Sequence, residues 1–113
     1  MKDCLFCKIF SGDIPASKIY ESEKVIGFKD LYPQAKIHHL FIHKNHTSSV
    51  QEMKPSEVAE IFSAIREWSL KESNIKNGFR IVTNSGLDAG QSVFHTHFHL
   101  LGGEPLGRFG TGL

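Results

Sequence analysis

One segment of this chain carries a clear 3.6-residue period, and it lies between segments that alternate. In "KPSEVAEIFSAIREWSLKESN", Val58, Ile61, Phe62, Ile65 and Trp68 or Ser69 recur on one face, with charged residues opposite. Pro55 stands where a first-turn proline belongs, because that N–H has no intrahelical partner to lose. Upstream, "KIYESEKVIGFKD" predicts two short strands around a polar turn at residues 21–24, and "KIHHLFIHK" a mixed apolar and histidine strand. Downstream, "GFRIVTN" alternates Phe79, Ile81 and Thr83 against Arg80, Val82 and Asn84, and the last strand runs through "VFHTHFHLL". Strands, one main helix, then strands predict an α+β fold. Its antiparallel sheet has about five strands with the helix on one face, in place of a parallel βαβ sheet. Apolar spacing over residues 4–10 adds a short N-terminal helix, ended by "SGD" and blocked from continuing by Pro15. "NIKNG" ends the main helix, with Gly78 as its cap residue.

A chain of 113 residues, 40% of them hydrophobic, can fill one core but not two, so residues 1–113 are expected to form a single domain. The formal net charge of +1, without a block of like charge, argues against an electrostatic grip on nucleic acid or a membrane surface. No apolar run approaches the roughly 20 residues of a membrane span. "MKDCLFCKIF" has neither a secretory apolar region nor a small-residue cleavage site, and a cytoplasmic protein is expected. Cys4 and Cys7 form one C-x-x-C. A reducing cytosol disfavours a lasting disulfide. A redox C-x-x-C opens a helix after a strand, and nothing precedes this one. Half of a zinc site and a pair of buried thiols both remain open.

"QSVFHTHFHLLGG" puts histidines at every second position. On a strand, Val93, His95, His97, His99 and Leu101 share one face, and Phe94, Thr96, Phe98 and Leu100 the other. Three imidazoles on one face make poor core packing, because each ring carries a polar nitrogen that needs a partner. Two chemistries fit. At a Cα spacing of about 6.5 to 7 Å the rings can reach one zinc. Alternatively, an imidazole nitrogen attacks phosphorus, since much of it is unprotonated at neutral pH. The preceding "NSGLDAGQS" favours the second. Gly86 and Gly90 let backbone N–H groups approach an anion, and Asn84, Gln91 and Ser92 are neutral donors. The loop is not a P-loop, for it lacks G-x-x-x-x-G-K-[ST].

"HTHFHLL" resembles the His-φ-His-φ-His-φ-φ signature of the histidine triad superfamily, where φ is apolar and Thr96 is the one weak fit. The resemblance extends through "NSGLDAGQS", "KIYESEKVIGFKDLYPQAKIHHLFIHKNH", "CLFCKI" and "IPASKIY", and covers nearly the whole chain. "QSV" and "LLGGEPLG" are most similar to its nucleoside phosphoramidase-like (Hint) branch. The resemblance implies a homodimer whose two sheets join, and a site for a purine nucleoside monophosphate or adenylated small molecule. It implies cleavage between the α-phosphorus and a leaving group, often an amine, through a nucleotidyl-histidine intermediate. His97 corresponds to the attacking histidine, His99 to the phosphate-side one and His38 to the fourth site histidine. Ser92 corresponds to the hydroxyl near the leaving group. Asn84, Gly90 and Gln91 match phosphate-side positions, Asp30 the acidic residue at the ribose, and Phe6, Ile9 and Phe28 the apolar walls of the base. Some bacterial members carry structural zinc on the positions of Cys4, Cys7, His46 and His95. The competing arrangement leaves the thiols free and gives His95 an ordinary hydrogen bond.

Physical chemistry agrees with this layout. A carboxylate accepts from two vicinal hydroxyls and repels phosphate, so Asp30 belongs at the ribose end. A neutral His97 can attack, while a protonated imidazole nearby would stabilise the phosphoryl oxygens. The chain departs from the family pattern where Lys36 and His43 stand in place of prolines, and where "GRFGTGL" lacks a tryptophan. The extra histidines His39 and His43 share a face opposite His38 and are expected to be exposed. Dinucleoside polyphosphate hydrolysis, a nucleotide-binding module without strong catalysis, and a zinc hydrolase are the alternatives.

Overall fold

The computed structural model describes residues 3–107. Helix α1 spans Leu5–Ser11, strands β1 to β3 span Lys18–Glu21, Val25–Lys29 and Ile37–His43, helix α2 spans Pro55–Lys71, and strands β4 and β5 span Phe79–Val82 and His97–Gly102. Short 3₁₀ turns occupy Val50–Glu52, Ser73–Ile75 and Leu87–Ala89. The five strands form one sheet in the order β1-β2-β3-β5-β4, with every neighbouring pair antiparallel. Among the described residues no helix is long and apolar enough to cross a membrane.

Alternation along the strands divides the core. On one face Val25, Phe41, Phe98 and Leu100 pack against Ile61, Ala64, Ile65 and Trp68 of α2. Ile61 and Ile65 are essentially inaccessible, each burial contributing about 1.5 to 3 kcal/mol. On the other face Ile26, Phe28, Leu40 and Ile42 pack against Phe6 and Ile9 of α1. At Gly27 a Cβ would stand 2.9 Å from Ile19 Cδ1 and 3.0 Å from the Phe41 ring, which explains a glycine in the middle of β2. Antiparallel register sets His38 opposite Leu101, Leu40 opposite His99 and Ile42 opposite His97, so the catalytic candidates face α1.

Three expectations change. α2 stops at Lys71, and Gly78 closes the following turn through its N–H on the Ile75 carbonyl, with φ of 128° just ahead of β4. The last strand begins at His97, with residues 93–95 in a bend, because Thr96 leaves the sheet to pair with Thr47 through backbone N–H to O at 2.8 Å. His39 and His43 share a face as expected, but that face is covered by α2, and both are buried. His39 sits edge-on to Trp68 at 5.1 Å, and His43 bonds Glu60 at 3.0 Å through Nε2. The last six residues of "GRFGTGL" lie outside the described residues, as do Met1 and Lys2.

Candidate active site

The end of β2, the first half of β3, the start of β5 and the loop before β5 converge on a cavity of about 260 Å³. Asp30, Tyr32, Gln34, His38, Asn84, Gly90, Gln91, Ser92, His97 and His99 line it. Six of the expected residues beside His38 and His97 are therefore brought together. Phe6, Ile9 and Phe28 are not among the lining residues. They belong to the buried cluster between α1 and the sheet, with Phe6 lying 5.1 Å edge-on to the His97 ring and 5.7 Å from Phe28. Tyr32 and Gln34 line the cavity without having been anticipated. Their signal was the "DLYPQ" turn following Asp30, which reads as a plain connection.

The three period-two histidines have three different hydrogen-bonding states. His95 directs Nε2 to the His43 carbonyl at 3.0 Å, so its proton is there and Nδ1 is a bare acceptor. His97 is the reverse. Nδ1 donates to the His95 carbonyl at 2.8 Å, which leaves the Nε2 lone pair unprotonated and available. His99 Nδ1 meets His38 Nε2 at 2.9 Å. Burial lowers the pKa of all three. His99 is pushed down to about 4, with the neighbouring His97 and His38 adding to the effect, and His97 is lowered against a raising influence of its bond to His95 and of Asp30. Burial disfavours the charged form of each of these rings and of His38, so neutral imidazoles face the cavity.

The loop before β5 is also organised differently from the expectation. Gln91 is buried, with its side-chain carbonyl accepting from Gly86 N–H at 2.8 Å and its amide donating to the Ser48 and Val93 carbonyls. The N–H groups of Gly90 and Gln91 close onto Leu87 and Gly86. Gln91 and the two glycines therefore brace the loop. The Asn84 amide and the Ser92 hydroxyl are the loop donors without a protein partner among the described residues. Asp30 Oδ1 accepts from Tyr32 N–H at 2.8 Å, and Oδ2 lies 3.5 Å from His38 Nε2. Ser92 also borders a second hollow, shared with Asp3, Cys4, Leu5, Val93 and Phe94.

Behind the cavity Cys4, Cys7, His46 and His95 gather their ligand atoms within 4.8 Å of one another, and the group can hold a metal ion. A tetrahedral ion with bonds of about 2.3 Å to sulfur and 2.0 Å to nitrogen separates the two ligand types by about 3.5 Å. The Sγ–Nδ1 distances here are 3.3 Å for Cys4–His95, 3.5 Å for Cys7–His95 and 3.3 Å for Cys7–His46. His95 presents the bare nitrogen while its other N–H is anchored on a carbonyl, as a metal-bound imidazole requires. Two thiolates would balance a divalent charge, which suits a half-buried site. Burial, with the neighbouring Cys4, pushes the Cys7 thiol up to about 11 in the metal-free protein.

Residues 11–106 match the HIT domain family model. A HIT-like protein of Chlamydia muridarum is 41% identical over 105 residues, spanning 91% of this chain and 83% of the relative. The solved structure of a HIT family hydrolase from Clostridium thermocellum superposes with a TM-score of 0.89 at 39% identity, covering 96% of both chains. A histidine triad nucleotide-binding protein from Candida albicans superposes with a TM-score of 0.77 at 34% identity, over 87% of this chain and 73% of the other.

Proposed function

This chain belongs to the HIT domain family, and on that premise we propose that it hydrolyses the bond between the α-phosphorus of a purine nucleoside monophosphate and an amine or similar leaving group. The observation that carries the proposal is the His97 Nδ1–H bond to the His95 carbonyl, which leaves Nε2 as a base-form nucleophile beside a cavity of neutral donors. His97 Nε2 attacks phosphorus, the phosphorus–nitrogen bond breaks, and the amine leaves with a proton. Water then attacks the nucleotidyl-histidine, releasing the nucleoside monophosphate and restoring His97. His99 and Asn84 donate to the phosphoryl oxygens, and His38 orients His99. Asp30 binds the ribose, and Ser92 lies on the leaving-group side. Holding nucleophile and phosphorus in line supplies much of the rate. The similar Clostridium thermocellum and Candida albicans proteins, a HIT family hydrolase and a histidine triad nucleotide-binding protein, agree with this chemistry.

Zinc on Cys4, Cys7, His46 and His95 completes the proposal. All four ligand positions are filled by protein, which leaves no position for substrate, so its role is to tie α1 to the segment before β5. The exposed edge of β4, with Phe79 partly exposed, and the half-exposed Phe62 of α2 suit a homodimer that continues the sheet. The working place consistent with two reduced cysteines is the cytoplasm.

Incubation with adenosine 5′-phosphoramidate tests the proposal, with a dinucleoside polyphosphate as comparison substrate. Wild type releases AMP, and His97→Ala loses nearly all activity. Equal rates in the two proteins would overturn the assignment of His97. If chelation abolished turnover while the fold stayed intact, a catalytic metal would replace the histidine nucleophile.

A further inference from the structure

The proton arrangement in the cavity is fixed from outside the histidines. The N–H of Gln34 donates to His38 Nδ1 at 3.0 Å. A nitrogen that accepts from a backbone N–H cannot carry a proton of its own, so neutral His38 holds its proton on Nε2. That Nε2–H faces His99 Nδ1 at 2.9 Å, with Asp30 Oδ2 farther off at 3.5 Å. His99 Nδ1 therefore accepts, and the proton of neutral His99 stands on Nε2. We infer that the backbone N–H of Gln34 is the positioning group that makes His99 a donor toward the cavity. The direction matters chemically. Reversing the chain would put a proton on His99 Nδ1 and leave a lone pair on Nε2, unable to donate to a phosphoryl oxygen.

The same bond holds the pair neutral. A second proton on His38 must go to Nδ1 and would break the bond from Gln34, and a second proton on His99 must displace the one that His38 donates. Burial works in the same direction on both rings, and the charged groups that face them are Asp30 beyond β2 and His97 on β5. Asp30 favours the cation but reaches the cavity wall already bonded to Tyr32 N–H, in the turn that presents Gln34 to His38. Gln34 acts through its main chain, its side-chain amide being turned to the Tyr32 carbonyl at 3.3 Å.

The consequence for turnover rests on the phosphoramidase reading, but the proton arrangement is measurable in the free protein. In two-bond proton–nitrogen NMR correlations at neutral pH, wild-type His38 and His99 both give the Nε2–H pattern. An Nδ1–H pattern at His99 would overturn the inference. Replacing residue 34 by its α-hydroxy acid turns the N–H into an ester oxygen. The acid titration of the His38–His99 pair then moves up by about one pH unit, the size of one lost hydrogen bond. An unmoved titration there also overturns it. Gln34→Ala keeps the N–H and leaves both patterns and the titration as in wild type, and a shift would assign the effect to the side chain instead. The wild-type spectrum decides even without the variants. Nε2–H patterns in a protein that hydrolyses no phosphoramidate would sink the function and leave this inference standing. The opposite pair of results would do the reverse.

Discussion

Replacing Phe6 by alanine separates what α1 does for the fold from what it does for His97. The helix has seven residues, too few to persist alone, and only Phe6 and Ile9 are buried. Phe6 is 4% exposed, and its ring stands edge-on to Phe28, His95 and His97 at 5.7, 5.9 and 5.1 Å. Removing a buried phenylalanine side chain costs about 3 to 5 kcal/mol, and the lower end applies because a seven-residue helix can settle into the void. With an unfolding entropy of about 2.1 cal/mol/K per residue, about 3 kcal/mol lowers the melting temperature by roughly 12 °C. The protein stays folded at 25 °C, since domains of this size have about 5 to 15 kcal/mol in hand. The His97 ring keeps its Nδ1 bond but loses one wall, worth about 1 kcal/mol, so kcat/KM for the phosphoramidate falls about fivefold. Circular-dichroism melts and steady-state hydrolysis, both with zinc present, read the two effects. Phe6→Leu refills most of the void and recovers most of the stability while the rate stays reduced. A melting temperature within 4 °C of wild type in Phe6→Ala, with unchanged kcat/KM, would refute the idea that this ring braces the nucleophile.

Three further outcomes follow from the site. Elemental analysis finds one zinc per chain after purification, and Cys4→Ser lowers that content and the melting temperature together; full zinc in the variant would remove Cys4 from the ligand set. His38 and His99 titrate below their unfolded value near 6.5, His99 at about 4, so the unfolded chain binds more protons between those limits. Their contribution to stability is complete above pH 6.5 and is lost as pH falls toward 4. Urea midpoints that stay flat from pH 7 to 4.5 would contradict the burial of these rings. Activity follows the lowered His97, so its acid limb lies below the usual histidine range.

Much of the architecture was legible because periodicity is local. The 3.6-residue pattern located α2 to within a few residues, and alternation put His38 opposite His39 and His43. Their burial was illegible, because exposure depends on what covers a face, and α2 with Trp68 and Glu60 lies far along the chain from β3. The start of β5 was misplaced for a similar reason. "VFHTHF" alternates without interruption, but the pairing of Thr96 with Thr47 takes the chain out of the sheet before His97. Gln91 looked like a phosphate donor from its place in a glycine loop, yet its amide is occupied by Gly86, Ser48 and Val93.

The order of strands and one helix, the period-two histidines and the C-x-x-C were properties of the sequence, and with them the fold class, the family and eight of the ten residues that line the cavity. The tertiary structure alone decided the proton positions. His95, His97 and His99 are chemically identical in the chain, and each became different through one partner: the His43 carbonyl, the His95 carbonyl and the His38 ring. A histidine's tautomer is set by the hydrogen bond on its other nitrogen. For His38 that partner is the Gln34 N–H, a group every residue but proline carries, so nothing in the identity of residue 34 could have announced it.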